Sequence, residues 1–171
     1  MNPAPPLESL TFSREQLSRL DSHYRRVLCH SDLWQSGTLR LAADSFRKLS
    51  GIYFWVMAYG GNMHRIYVGK TNSLGTRVKN YAGDFQPHSP NDFKIQVFQA
   101  FARECFGGSE LDLYFAPCDL GKLTERENEE IAYFDPLLNR RMKPSLDARN
   151  TLKNAFVDYY QSCFWNALDS N

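Results

Sequence analysis

Two tyrosines, an arginine and a glutamate are the side chains whose types and spacing could do chemistry on a phosphodiester. Tyr53 and Tyr67 lie fourteen residues apart, Tyr67-Val68-Gly69-Lys70 leads on to Arg77 and Tyr81, and Glu127 comes much later. In-line attack on a phosphodiester needs an activated nucleophile, neutralised phosphoryl oxygens and a stabilised leaving oxygen. Arg77 offers a planar, permanently charged fork that suits phosphate oxygens. Glu127 is a carboxylate in an apolar row, because Leu120, Leu123, Glu127, Ile131 and Phe134 form one helical stripe while Glu125 and Glu129 turn away. A charge so placed is costly without a partner, and a divalent cation is a suitable one. Thr124-x-x-Glu127 reads equally well as a capping box. A free phenol, with a pKa of about 10, is a weak base at neutral pH, so tyrosine general-base chemistry calls for cationic neighbours, and Lys70 is a candidate. Each residue also has an ordinary reading: strand aromatics for the tyrosines, a solvated helix face for Arg77, a strand-end charge for Lys70.

The elements that must position these groups are legible nearby. Residues 51–58 are β-branched or aromatic almost throughout, Tyr59-Gly60-Gly61-Asn62 supplies turn residues, and Arg65 to Val68 resumes strand character, which predicts a hairpin. Side chains alternate along a strand, so a regular two-residue loop would set Tyr53 and Tyr67 on opposite faces. Cooperation between the two phenols therefore predicts an odd-numbered loop or a compensating bulge. Asn72 or Ser73 can cap a helix through Leu74, Val78 and Tyr81 that ends at Gly83, with Arg77 and Tyr81 on one face.

Gly51-Ile52-Tyr53 and Tyr67-Val68-Gly69, with Lys70, Arg77 and Tyr81 at matching intervals, resemble the GIY-YIG nuclease family. The likeness is greatest to the branch represented by the N-terminal nuclease domain of the excision-repair incision enzyme, and valine for isoleucine at 68 is a mild departure. The family carries a metal-binding glutamate nine residues before a Pro-x-x-Asn ending; counting back from Pro136 selects Glu127 and favours the ligand over the cap. The resemblance implies a metal-dependent endonuclease that hydrolyses DNA. It assigns Tyr53 as general base with Tyr67 as neighbour or substitute, Arg77 as phosphate clamp, and Glu127 as holder of one Mg2+ or Mn2+. Lys70, Tyr81 and Asn139 become supporting groups around phosphate and metal. The rival is a catalytically silent nucleic-acid-binding or protein-interaction module on the same fold, which would not need Tyr53, Arg77 and Glu127 together. A P-loop around Gly69-Lys70-Thr71 is excluded, since His64 stands where glycine is required.

Composition bounds the rest. A chain of 171 residues with 43% hydrophobic residues predicts one folded domain. No apolar run approaches a membrane span and no signal-peptide pattern opens the chain, so a cytoplasmic location is expected, with export by a dedicated secretion system as the alternative. Cysteines at 29, 105, 118 and 163 and histidines at 23, 30, 64 and 88 lack the spacing of a zinc site or disulfide frame. Net charge is only +1, yet Arg65, Lys70, Arg77 and Lys79 fall between Asn62 and Tyr81 with no carboxylate, and Arg140, Arg141 and Lys143 form a second basic cluster. Both border the candidate site, as a groove that tracks a nucleic-acid backbone requires. DNA is the implied partner, RNA the alternative; a homodimer or an inhibitor protein is left open.

The expected fold class is α/β (α+β): a three-stranded, mainly antiparallel sheet flanked by helices. Residues 1–49 form a helical extension, 50–143 the core and 144–171 a C-terminal helix. Met1 to Leu10 reads as irregular. Ser13-x-x-Gln16 opens a helix through Leu17, Leu20, Tyr24, Val27 and Leu28, and a second spans Leu39 to Leu49. Ser89-Pro90 starts another with Phe93, Val97, Phe101 and Cys105 inside, stopped by Gly107-Gly108. Leu111, Leu113 and Phe115 mark the third strand, and Ser145 caps a last helix with Leu152, Phe156, Tyr159, Cys163 and Ala167 inward. The surplus aromatics Tyr160, Phe164 and Trp165 are expected to pack on the core.

Overall fold

The stretch Gly51–Tyr59 carries no charge, and in the computed structural model, which describes residues 7–29, 44–82, 90–139 and 153–162, it forms the strand on which everything else is built. The elements are α1 (Arg14–His23), β1 (Arg25–Cys29), β2 (Gly51–Tyr59), β3 (Asn62–Thr71), α2 (Leu74–Ala82), α3 (Pro90–Cys105), β4 (Glu110–Pro117), α4 (Leu123–Phe134) and α5 (153–162). One antiparallel sheet runs in the order β1-β4-β2-β3. Because β2 is interior, both its faces are buried. Tyr53, Trp55 and Met57 enter a core completed by Leu74, Val78 and Tyr81 of α2, Ile95, Phe98 and Phe101 of α3, and Phe156 of α5. Ile52, Phe54 and Val56 enter a second core with Leu20 and Tyr24 from the α1 side and Leu123 and Phe134 of α4. The result is the expected mixed α/β arrangement, helices on both faces of one sheet.

The sheet has four strands, not three. The helix predicted to reach Leu28 ends at His23, Tyr24 is extended (φ −117°, ψ 154°), and Arg25–Cys29 pairs with β4. Val27 and Leu28 are buried as a helical stripe would bury them, but from a strand. The outer edge of β4 supplies the reason: its backbone groups need partners, and a short strand satisfies both chains. Residues 25–29 of the expected N-terminal extension thus belong to the central sheet. Within the predicted helix Leu39 to Leu49, Asp44–Phe46 is a single 3-10 turn, and 39–43 lie outside the described residues. The N-terminus is also more ordered than expected over its described part, since Glu8–Leu10 is a 3-10 turn with Leu7 and Leu10 buried. Arg65 anchors it: the buried guanidinium donates to the carbonyls of Ser9, Leu10 and Phe134, tying the N-terminal turn and the end of α4 to β3.

Other expectations hold. Ser13 and Gln16 form the reciprocal capping box at α1, and α3 stops before Gly107-Gly108, where Gly108 adopts φ 81°. Tyr160 packs against the first core beside Phe156. Ser145, Leu152, Cys163, Phe164, Trp165, Ala167 and the basic cluster Arg140, Arg141 and Lys143 lie outside the described residues. Among the described residues, no helix is long and apolar enough to cross a membrane.

Candidate active site

A bulge brings the two phenols together. The hairpin closes with Gly60 and Gly61 at φ 60° and 78°, a two-residue loop between the paired residues Tyr59 and Asn62. That loop alone would oppose the tyrosines. The register then shifts: Val56 pairs with Arg65 but Trp55 pairs with Tyr67, leaving Ile66 as the extra residue of β3. Residues directly opposite share a face, so Tyr67 joins Trp55 and hence Tyr53. Their ring centroids are 6.1 Å apart.

Helix α2 adds two groups to this face. Its first amides are capped by the chain preceding β2, Leu74 N donating to Leu49 O and Gly75 N to Arg47 O, while Arg77 N takes Ser73 O at 3.1 Å in the expected cap position. So fixed, the helix sets Tyr81 against Tyr53, its hydroxyl donating to the Tyr53 oxygen at 3.1 Å, and the Arg77 guanidinium carbon 5.8 Å from the Tyr53 ring centre. Both signature glycines have a steric reason. A Cβ at Gly69, opposite Tyr53 in the ladder, would stand 2.4 Å from the phenol oxygen; one at Gly51 would stand 2.2 Å from Ala116 O.

Burial is the main influence on the Tyr67 and Tyr81 phenols. It pushes the Tyr67 phenol well above the ordinary tyrosine value; Tyr53 and the Glu127 carboxylate push the same way and Arg77 pulls back. Tyr81 is likewise raised by burial, opposed by its hydrogen bond to Tyr53 and by Arg77. Tyr67 and Tyr81 therefore hold their protons at neutral pH.

Lys70 and Glu127 come from the other layer. Lys70 pairs with Ile52 and so faces the second core, where its Nζ lies 2.9 Å from Oε2 of Glu127 and 3.0 Å from the Thr124 hydroxyl. This disposes of the capping box: α4 begins at Leu123 with no side-chain cap, and Thr124 serves Lys70. Of the predicted stripe, Leu123 and Phe134 are buried, but Leu120 sits 64% exposed in the preceding turn. The candidate site therefore straddles β3, an edge strand, with three phenols and Arg77 on one face and the Lys70–Glu127 pair on the other. The Glu127 carboxylate adds to the upward push on the Tyr67 phenol, yet it and Arg77 lie on opposite faces of β3 where the sequence reading expected them to meet around one cation.

Glu127, the carboxylate expected to hold a metal, is paired with Lys70. Among the described residues no group of three His, Cys, Asp or Glu could hold a metal, and Cys29, Cys105 and Cys118 form no disulfide. One carboxylate fits Mg2+ or Mn2+, which keep several waters and take substrate oxygens, better than Zn2+ or Ca2+, which ask for more protein ligands.

Asn139, expected near phosphate or metal, is engaged elsewhere. Its carboxamide accepts from Val68 N at 2.8 Å and donates to Val68 O at 2.7 Å, so it acts as a neighbouring strand would at the free edge of β3. That makes it a positioning group for Tyr67 and Gly69, which flank Val68.

One carboxylate escaped the sequence reading. Glu130 is fully buried, bound by Arg19 at 2.6 Å, Arg126 at 2.9 Å and the Tyr24 hydroxyl at 3.0 Å. It lies seven residues after Leu123 and four before Phe134, so the helical stripe could have found it. The network locks α1 to the helix that carries Glu127. Compared with known proteins, the chain matches no protein-family model and no curated protein.

Proposed function

We propose that this chain is a metal-dependent endonuclease of the GIY-YIG type that hydrolyses phosphodiester bonds of DNA. The observation that carries the reading is the shared face of Tyr53, Tyr67, Tyr81 and Arg77. Arg77 holds a phosphoryl oxygen of the scissile group. Tyr53 acts as general base in its phenolate form, an anion that the hydrogen bond donated by Tyr81 stabilises; it takes the proton of the attacking water and becomes the neutral phenol as the new P–O bond forms and the leaving oxygen departs. A divalent ion on Glu127, when bound, supplies positive charge for the phosphoryl and leaving oxygens. Lys70 orients the Glu127 carboxylate and Asn139 holds the edge strand in register.

The Lys70–Glu127 pair is the observation that favours the rival, a nucleic-acid-binding module without catalysis, because a carboxylate neutralised by lysine has less need of a metal. Purified protein with Mg2+ or Mn2+ should nick supercoiled plasmid, and single-stranded, branched DNA and RNA substrates define its range. Glu127→Gln should slow nicking by at least about a hundredfold while leaving binding in place. Binding without cleavage by the wild type would replace the nuclease reading with the rival.

A further inference from the structure

The chain before β2 builds a second basic feature on the far side of α2. A cleft of about 130 Å3 opens between the two, lined by Arg47, Lys48, Ser73, Gly75, Thr76 and Lys79 among others. Its wall is fixed in place. Arg47 O accepts from Gly75 N at 2.7 Å, and the close approach depends on Gly75, where a Cβ would lie 2.6 Å from the Arg47 side chain. Lys48 and Lys79 are exposed, and among the described residues neither enters an ion pair. In sequence, the stretch between Asp44 and Asp84 holds six Lys or Arg and no Asp or Glu. The Ser73 and Thr76 hydroxyls donate to Arg47 O and to Ser73 Oγ and so brace the wall, while the cationic side chains and room for a tetrahedral oxyanion are the chemistry of a phosphate seat.

We propose that this cleft binds a backbone phosphate of the nucleic-acid strand away from the cut, an inference that rests on the nuclease reading for its substrate. Residues 77 and 79 point about 200° apart around a helix. A strand passing over α2 thus meets Arg77 on one side and the cleft on the other. The cleft contributes affinity and register without taking part in bond breaking.

The test is the double variant Lys48→Ala/Lys79→Ala, with Lys48→Arg/Lys79→Arg as the charge-keeping control. Oligonucleotide binding is measured across a salt series, and single-turnover cleavage at saturating DNA. The alanine pair should weaken binding and reduce the slope of log K against log salt by about one unit. The arginine pair should restore both, and the cleavage rate should stay unchanged. Wild-type affinity and slope in the alanine pair, with cleavage intact, would remove the cleft and leave the nuclease reading standing. A wild type that binds through Lys48 and Lys79 but never cuts would uphold the cleft and sink that reading.

Discussion

Lys70 Nζ stands 2.9 Å from Oε2 of Glu127, so a cation from β3 already rests on the carboxylate that α4 presents. A divalent ion at Glu127 must compete with it. The pair is partly exposed, at 37% and 18%, and such pairs are worth about 0.2–1 kcal/mol. Lys70→Gln should therefore tighten Mn2+ binding by up to about fivefold, and Glu127→Gln should abolish it, as read by calorimetric titration. Equal Mn2+ affinity in all three proteins would mean that the ion does not use Glu127.

Gly69→Ala tests the close approach behind the phenols. The added Cβ would fall 2.4 Å from both the Tyr53 oxygen and its ring carbon, on a strand that cannot retreat from the β2 ladder. Overpacking of this kind costs about 1–3 kcal/mol, and relief requires the Tyr53 phenol to swing away from Tyr81. The urea midpoint should drop and cleavage should fall with it. A variant with the wild-type midpoint would contradict the packing described for the site.

The hairpin shows what local sequence can specify. Turn residues Gly60-Gly61 and the face requirement on Tyr53 and Tyr67 together demanded an odd loop or a bulge, and the extra residue proved to be Ile66. What escaped depends on partners far along the chain. Val27 and Leu28 satisfy a helical period from Tyr24, and only the open edge of β4, eighty-odd residues later, makes them a strand. Asn139 is singled out by the Pro-x-x-Asn ending, but that its carboxamide serves the Val68 backbone appears only when β3 lies beside it. Likewise Glu130 and Glu127 fit one apolar stripe about equally well, and it is Arg19 that decides which is buried.

Glu130 should matter to stability more than any exposed acid. With Glu130→Ala, Arg19, Arg126 and the Tyr24 hydroxyl all lose a buried partner, which costs about 3–5 kcal/mol for an ion pair broken on one side. Chemical denaturation measures it. A loss of under about 1 kcal/mol would show that the network does not hold α1 to α4.

Alkaline pH should destabilise the fold. The phenols of Tyr24, Tyr67 and Tyr81 are raised chiefly by burial above the ordinary value of about 10, so each binds its proton more tightly folded than unfolded. Their contribution is whole below about pH 10 and is lost as pH climbs beyond it. The denaturant midpoint should decline above about pH 10, and less steeply in Tyr81→Phe. A midpoint that climbs there would contradict the burial of these groups.

The convergence of Arg77 and Glu127 on one reaction is tested most directly by their double-mutant cycle in plasmid nicking with Mg2+. Arg77→Ala and Glu127→Gln should each slow the wild-type reaction by at least about a hundredfold, and the double variant should be no slower than the worse single one, because residues acting as a unit are not additive. Wild-type rates in either single variant, or losses that simply multiply in the double, would contradict a single site built across β3.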